Sequence, residues 1–383
     1  MAFFPSVMCF TPMRCDALIV GAGPAGSSAA RLLAQAGWSV ALVEKSRFPR
    51  RKVCGEFISA AALPVLRACG VAEAFDAAAG PVVTRLGAYA GDAMLAAPAQ
   101  GHWGRALGRE HLDLMLRDTA MAAGAVLLQP AEVVELRRGT QDHVCILDDG
   151  REIAAKTVIA ACGSWNAKGP FAVPHRAAAC DLFAFKAHFQ GSALPSGLMP
   201  LLAFPGGYGG LVQSDAGRTS LSCCIRRDAL ERVRVRHGGK AAEAVLAHIL
   251  QTTKGARLAL DGAALEGSFL AAGPIHPGMR KRQEDGVFFT GNIAGEAHPV
   301  IAEGISMAIQ SSGLLAKLLI ARRGENYARE WTRRFAPRIR AASFFAHLAM
   351  NGAGRLAGLA VLRTAPGLLD LGARISGKAP LAA

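Results

Sequence analysis

Residues 16–45 read DALIVGAGPAGSSAARLLAQAGWSVALVEK, and this stretch decides the fold. The apolar run Ala17 to Val20 predicts a buried strand, Pro24 to Ala36 a helix, and Ser39 to Val43 a second strand. A glycine turn of the pattern GxGxxG separates the first strand from the helix. The order of strand, turn, helix and strand predicts a parallel βαβ unit that binds a dinucleotide.

Each glycine of this turn has a physical role. Gly21 permits the tight turn, Gly23 lets the backbone approach a pyrophosphate, and Gly26 lets the helix pack on the strand. Pro24 and Ala25 open the helix, whose free N–H groups and positive dipole end attract the same anion. The turn therefore predicts a phosphate site at the start of the helix.

An acidic residue ends the second strand. Glu44 lies 18 positions beyond Gly26 and is followed by Lys45. Its carboxylate is placed to accept hydrogen bonds from an adenosine ribose, and its charge repels a 2′-phosphate. FAD or NAD is therefore favoured over NADP at this site.

The composition is that of a globular protein. The 383 residues are 51% apolar, which allows two or three domains. Nine cysteines without a CxxC pair predict neither a disulfide framework nor a metal site, and they fit the reducing cytosol. No run reaches the ~18 consecutive apolar residues of a membrane span. Residues 1–20 lack the pattern of a signal peptide, so a cytoplasmic location is expected.

Positive charge accumulates at the C-terminus. The net charge is +14, and from Lys317 onward the chain carries 12 basic residues and 3 acidic ones. Arginines alternate there with apolar runs such as GRLAGLAVLR, which suits an anionic membrane surface or an acidic acyl carrier protein. A solvated basic face on terminal helices is the other interpretation. Nucleic acid is not expected, because no helix-turn-helix, zinc or RNP-like pattern is present.

Three later segments carry a resemblance to a known family: RKVCGEFIS (51–59), LGREHLDLML (107–116) and VFFTGNIAGEAHPVIAEGISMAIQSSG (287–313). With the GxGPAG turn, their order resembles the aromatic-ring hydroxylase (group A flavin monooxygenase-like) superfamily, and within it the geranylgeranyl reductase branch. The resemblance extends to about residue 165 and resumes over about 286–320. It implies an α/β fold, with a Rossmann-like FAD-binding domain, an inserted antiparallel β-sheet substrate domain and a C-terminal helical tail.

The resemblance also implies domain boundaries. The FAD-binding domain is expected to combine residues 13–80 with 101–168 and 274–325. The substrate domain is expected to combine 81–100 with 169–273. Residues 326–383 remain as the basic helical region.

FAD is the implied cofactor, and NAD(P)H is the implied electron donor. Arg109 is expected along the ribityl and pyrophosphate region of FAD. Asn292 stands where the family carries an aspartate, and Gly304 opens a helix whose positive end faces the flavin. The residues expected to bind the cofactor are Gly21, Gly23, Pro24, Ala25, Gly26, Glu44, Lys45, Arg109, Gly291, Asn292, Gly304 and Ile305.

Three residues are candidates for catalysis. The resemblance places Cys54 beside the flavin ring, either as a proton donor or as a small apolar filler. Glu56 either orients the substrate or caps a helix beginning near Ser59. His298 is either an acid or base near the ring, or a loop histidine bonded to backbone.

The resemblance leaves the reaction open. One expectation is an oxidoreductase that reduces a carbon–carbon double bond in a lipophilic substrate, isoprenoid or polyketide-like. The second is a monooxygenase that hydroxylates an aromatic or polyketide substrate. A third, of another class, is a flavin-binding partner of a carrier protein with little turnover.

Overall fold

The structure is a computed structural model, and it describes residues 13–98, 101–164, 169–174 and 176–379. The expectation about a signal peptide falls mainly on residues 1–12, which lie outside the described residues.

The described strands are, in chain order, β1 (Met13–Val20), β2 (Val40–Val43), β3 (Phe57–Ser59), β4 (Arg85–Ala90), β5 (Ala93–Ala96), β6 (Gly104–Ala106), β7 (Val126–Leu128), β8 (Val133–Arg137), β9 (His143–Leu147), β10 (Glu152–Ala160), β11 (Leu182–Gln190), β12 (Leu198–Phe204), β13 (Gly207–Gln213), β14 (Thr219–Arg226), β15 (Ala264–Ile275), β16 (Gly278–Met279), β17 (Gln283–Glu284), β18 (Val287–Phe289) and β19 (Gly295–Glu296).

The described helices are α1 (Pro24–Gln35), α2 (Leu63–Ala68), α3 (Ala72–Ala78), α4 (Arg109–Ala122), α5 (Arg227–His237), α6 (Ala241–Thr252), α7 (Lys254–Ala259), α8 (Gly304–Ile320), α9 (Tyr327–Met350), α10 (Gly352–Thr364) and α11 (Leu368–Ile375).

The first sheet has the predicted parallel βαβ unit at its centre. β1 lies between β2 and β10 and pairs in parallel with both, and β7 and β18 continue the parallel order outward. β9 and β17 join in antiparallel fashion. Ala17 to Val20 are all buried, as expected for a central parallel strand covered on both faces. α1 packs against α4 and α8 beside this sheet.

The second sheet is drawn from residues 85–96 and 182–275, in the order β15-β11-β14-β13-β12-β4-β5. It is antiparallel except that β4 pairs with β12 in parallel. The sequence predicted an antiparallel sheet, and this one pair departs from it. The hairpin β4–β5 is separated from β12 by α4 and much of the first sheet, and such a long connection permits parallel pairing.

The two faces of the second sheet have different neighbours. One face packs through Phe204, Leu211 and Ile225 on the helical layer that contains Ile249. On the other side, Tyr208 and Cys224 cluster with Ala346 and Ala349 of α9. The beginning of α9 packs instead in the core of the first sheet through Trp331 and Phe335. α9 therefore contacts both sheets and borders the space between them.

The C-terminal region is helical, as the sequence predicted. Within the described residues, no single helix is both long and apolar enough to cross a membrane. The consecutive helices α10 and α11 meet that test only as a pair, with a bend of 115° between them.

Candidate functional site

The glycine turn between β1 and α1 is packed as the motif requires. Gly21 has a φ of +104°, and a Cβ there would lie 2.7 Å from the Ala161 carbonyl oxygen. A Cβ on Gly26 would lie 1.8 Å from the Gly21 carbonyl oxygen. Neither position accepts a side chain, because backbone occupies the space. At Gly23 the nearest atoms to a Cβ are guanidinium nitrogens of Arg109 and Arg50, at 3.6 and 3.8 Å. Gly23 therefore faces a space bordered by positive charge.

Glu44 fastens this turn to the end of β2. One carboxylate oxygen accepts the Ala22 N–H at 2.9 Å, and the other accepts the Ser46 N–H at 2.8 Å and an Arg50 N–H at 2.6 Å. The carboxylate is 3% exposed and lines the nucleotide cavity. It orders the glycine turn in addition to its expected contact with ribose.

Three cations converge beside the turn. Arg109 donates two hydrogen bonds to Asp113, at 2.6 and 2.8 Å, and Arg50 lies 3.5 Å from the same carboxylate. Lys52 forms no ion pair within the part of the chain that the structure describes. Burial, followed by repulsion from Arg50 and Arg109, lowers the pKa of Lys52 to about 8. A bound pyrophosphate would reverse that repulsion, so the donor set fits the diphosphate of a dinucleotide.

These groups surround a cavity of about 210 Å³, called here the nucleotide cavity. Every residue that the sequence predicted to bind cofactor lines it except Gly26, which is packed beneath the turn. The lining residues from that set are Gly21, Gly23, Pro24, Ala25, Glu44, Lys45, Arg109, Gly291, Asn292, Gly304 and Ile305. Segments far apart in the chain are therefore brought together as predicted; the role of each residue stays a prediction.

A second cavity of about 610 Å³ lies between the second sheet and the C-terminal helices, and it is called here the apolar cavity. Most of the side chains that surround it are aliphatic or aromatic, including Leu86, Met199, Val212, Phe345 and Leu362. The two cavities share the lining residues Val53, Cys54, Asn292, Gly304 and Ile305. A flavin ring reaching past the nucleotide cavity would meet a lipophilic ligand at this shared wall.

Cys54 belongs to that wall. Burial raises the pKa of its thiol, although Lys186 and Arg109 act in the opposite direction. The group therefore keeps its proton at neutral pH. This position suits a proton donor between the two cavities.

Glu56 sits at the centre of a buried charge cluster. It has a φ of 60° and is fully buried, with one carboxylate oxygen paired to Lys186 Nζ and the other 2.8 Å from His188 Nε2. Burial alone would raise the pKa of Glu56, but the His188 hydrogen bond and the Lys186 charge outweigh it and lower the pKa to about 2. Glu56 is thus ionised and paired; it does not cap a helix near Ser59.

Lys186 and His188 were not singled out from the sequence. Both lie on β11 within DLFAFKAHF, whose alternation was interpreted as apolar residues separated by polar ones. In the structure Lys186 is 1% exposed and His188 0%. The detectable signal was their spacing of two, which places both on one face of a strand.

The atoms of Glu56, Glu110 and His188 lie within 4.8 Å of one another. Glu110 accepts a hydrogen bond from Arg218 at 2.7 Å, and Glu56 is paired with Lys186. Because the protein's own cations already neutralise both carboxylates, we assign no metal to this cluster.

His298 borders neither of the two cavities. Its Nδ1 lies 3.2 Å from the Tyr208 hydroxyl, and its ring packs against Tyr208 and His347. Burial and then the nearby His347 lower the pKa of His298 to about 4, so its ring is neutral at physiological pH. Tyr208 lines the apolar cavity, so His298 lies behind Tyr208, and its role as an acid or base stays a prediction.

The structure gives a physical reason for an amide at position 292. Asn292 Nδ2 donates to Glu296 Oε1 at 2.9 Å, and Glu296 is also 3.4 Å from Arg280. Burial raises the pKa of Glu296. An aspartate in place of Asn292 would bring two carboxylates into contact in a buried setting, which is unfavourable when both are charged.

Comparison with known proteins tests the cofactor prediction. The FAD binding domain family model matches residues 14–169, which contain the glycine turn, Glu44, Cys54 and Arg109. This part of the chain is therefore similar to FAD binding domains. The resemblance to FAD-dependent flavoproteins and the prediction of FAD as cofactor are therefore confirmed.

One curated relative is the menaquinone reductase of Mycolicibacterium smegmatis, which is 31% identical over 160 residues. That match covers 41% of this chain and 39% of the relative, so the chain spans about two fifths of the curated relative's length.

Solved structures resemble the chain over nearly its whole length. The flavin-dependent brominase Bmp2 has a TM-score of 0.76 at 19% identity, covering 97% of this chain and 95% of that one. A geranylgeranyl bacteriochlorophyll reductase-like protein from Thermoplasma acidophilum has a TM-score of 0.73 at 17% identity, covering 96% and 94%. At these identities the likeness shows the fold, and it confirms the predicted fold class.

Two glycines of the turn provide a matched pair of substitutions. Gly23→Ala is expected to leave the apoprotein folded, since its Cβ makes only ordinary contacts, but to occupy the place of a phosphate. FAD affinity should fall by about tenfold or more through lost hydrogen bonds to a charged group. Gly26→Ala should instead destabilise the fold by about 1–3 kcal/mol or more through overpacking. Denaturant unfolding of the apoproteins and FAD titration by flavin fluorescence measure both; equal FAD affinity for Gly23→Ala and wild type would contradict the placement.

Asn292→Asp is expected to lower the free energy of unfolding by about 1–3 kcal/mol at pH 8, because two buried carboxylates meet. The folded pKa of one carboxyl then exceeds its unfolded value of about 4. That penalty is absent below the unfolded pKa and grows as pH rises toward the folded one, so the variant should approach wild type only near pH 4. Adding Glu296→Gln removes one charge and should restore stability. Denaturant unfolding at both pH values measures the free energy of unfolding of each variant. A loss of stability that does not depend on pH would refute the carboxylate explanation.

Proposed function

We propose that this protein is an FAD-dependent oxidoreductase that uses NAD(P)H to reduce a carbon–carbon double bond in a lipophilic substrate, isoprenoid or polyketide-like. The observation that carries the proposal is the large apolar cavity, which meets the nucleotide cavity at Cys54, Asn292, Gly304 and Ile305. The names of the menaquinone reductase and geranylgeranyl reductase-like relatives support this substrate class.

FAD, once bound and reduced, supplies a hydride equivalent at the wall between the two cavities. The backbone at Gly23 and the cations Arg50, Lys52 and Arg109 would hold the cofactor in the nucleotide cavity. The N-terminus of α8 at Gly304 belongs to both cavities and directs its positive dipole end toward them. This dipole end would stabilise negative charge on a reduced cofactor.

Reduction of a double bond also requires a proton on the second carbon. Cys54 is assigned this step, because its thiol lies in the shared wall and its raised pKa keeps it protonated. After transfer, solvent returns a proton to the thiolate once the product has left. Glu56 is not the donor, because its lowered pKa leaves it ionised.

Glu56 has a positioning role in this scheme. It lines the apolar cavity two residues after Cys54, and its pairs with Lys186 and His188 tie that loop to β11. The Lys186 charge also acts on the Cys54 thiol and favours its ionised form. The cluster thus holds the loop in place and moderates the rise in the Cys54 pKa.

The reaction is tested by reducing the holoenzyme anaerobically and following the flavin spectrum after mixing with substrate. A menaquinone or a geranylgeranyl lipid is expected to reoxidise the flavin rapidly and to yield a product two hydrogens heavier. Reoxidation only by oxygen, with an oxygenated product from an aromatic substrate, would overturn the proposal in favour of hydroxylation. No product under either condition would leave a flavin-binding role and would also overturn it.

Cys54→Ala tests the proton donor. Flavin reduction by NAD(P)H should be unchanged, whereas reoxidation by the lipid substrate should slow by about 100-fold or more through loss of a general acid. Cys224 lies on the face of the second sheet that packs on α9 and lines the apolar cavity but not the nucleotide cavity, so Cys224→Ala is the matched control and should retain the wild-type rate. Stopped-flow traces of each half-reaction measure this. Wild-type reoxidation by Cys54→Ala would remove Cys54 from the mechanism.

A further inference from the structure

The last two helices expose apolar side chains to the outside. None of the residues of α10 is buried, although most of them are apolar. Leu356 on α10 is 70% exposed, and Leu371 and Ile375 on α11 are 50% and 54% exposed. Leu371 and Ile375 are four residues apart and so lie on one face of α11. Neighbouring apolar side chains exposed at a protein surface mark sites of interaction with proteins or membranes.

The inner side of the same helices forms a wall of the apolar cavity. Leu359 and Leu362 of α10 and Leu369 and Ala373 of α11 line it, whereas Leu356, Leu371 and Ile375 do not. The outer apolar residues are therefore separated from the cavity by the thickness of a single helix layer. A lipophilic molecule has a short path between the outer surface and the flavin wall.

The charge of the segment formed by α10 and α11 is mostly positive. Within residues 351–379, all described, the one carboxylate is Asp370, which is 9% exposed. Arg363 and Arg374 are exposed, and Arg363 lies seven residues after Leu356, on the same face of α10. The outer surface thus combines aliphatic side chains with cations and presents no exposed acid.

The far end of the segment is fixed to the FAD site. Lys378 is 5% exposed and pairs with Glu303 at 3.0 Å, and its Nζ also bonds the Ile301 carbonyl. Glu303 is the residue before α8 and accepts a hydrogen bond from Ser59 at 3.0 Å. The exposed helices α10 and α11 are therefore held between α9, which precedes them in the chain, and the start of α8.

We propose that Leu356, Arg363, Leu371 and Ile375, called here the tail surface, dock on an anionic lipid surface from which the substrate enters the apolar cavity. Entry of the substrate from the lipid rests on the proposed function. The 115° bend suits helices that lie in the interface rather than cross it. An acidic carrier protein would be attracted by the arginines alone, and the exposed leucines and isoleucine favour the lipid.

Co-sedimentation of the holoenzyme with vesicles tests the docking surface without turnover. Binding is expected to vesicles of phosphatidylcholine with phosphatidylglycerol, to be weaker with phosphatidylcholine alone, and to fall as salt is added. Leu356→Ser/Leu371→Ser/Ile375→Ser should lower the partition coefficient by about tenfold or more. Arg363→Gln should lower it by about fivefold. None of these residues lines either cavity.

Val235 on α5 is 89% exposed and provides the matched control. Val235→Ser should bind vesicles like wild type, because α5 packs with the helices on the opposite face of the second sheet. Equal binding by wild type and the triple variant, or absence of wild-type binding to any vesicle, would overturn the proposal. Binding to an acyl carrier protein but not to vesicles would overturn it in favour of that partner.

Turnover separates this proposal from the proposed function. The triple variant is expected to reduce a water-soluble short-chain analogue at the wild-type rate and a vesicle-embedded substrate at least about tenfold more slowly. If wild type binds vesicles but reduces no double bond, the proposed function fails while docking stands. If both substrates are reduced equally by both proteins, entry from the lipid is refuted.

Discussion

The close packing of α1 on β1 is the constraint on which the cofactor cavity depends. With a Cβ on Gly26 only 1.8 Å from the Gly21 carbonyl oxygen, the first turn of α1 is pressed against the turn that precedes it. Glu44 then fastens that turn to the end of β2 through the Ala22 N–H. The helix N-terminus is thereby aimed at a fixed point, and the cations contributed by Arg50, Lys52 and Arg109 converge on the same point. Like charges gathered in this way are mutually unfavourable until an anion binds, so the site is preorganised for a diphosphate at some cost to the apoprotein.

Buried ion pairs join segments that are distant in sequence. Glu56 and Lys186 connect the loop after the first βαβ unit to the second sheet, and Glu303 and Lys378 connect α8 to the C-terminal segment. Breaking such a pair by removing one partner costs about 3–5 kcal/mol, because the other charge stays buried. Each pair also borders the apolar cavity through Glu56 or Lys378. The cavity walls are thus held by directional contacts, whereas an apolar seam alone would permit several packings.

The sequence predicted the parts of the site that are local in the chain. The glycine turn, Glu44 and Arg109 follow from motifs in which neighbouring residues determine the geometry, and apart from Gly26 they line the nucleotide cavity. Lys186 and His188 were missed because strand alternation does not reveal which face is covered; Glu56 reaches them across 130 positions of sequence. The parallel pairing of β4 with β12 is also non-local. His298 was selected from its place before Pro299 in the loop that the resemblance assigns to the flavin; in the structure it packs against Tyr208 and lines neither cavity.

The basic tail shows how a composition signal can be correct and incomplete. Its charge and helical pattern can be read from the sequence. The lining of the apolar cavity by α10 and α11 cannot, because it depends on the second sheet, which lies on the other side of the cavity. α10 has no buried residue and so gains little stabilisation from burial, and opening the cavity at this wall would disrupt few buried side chains. The opposite walls are strands of a packed sheet and the helix that begins at Gly304. Opening at α10 would therefore expose the cavity while the FAD site, held by Glu44 and Gly26, stays unchanged.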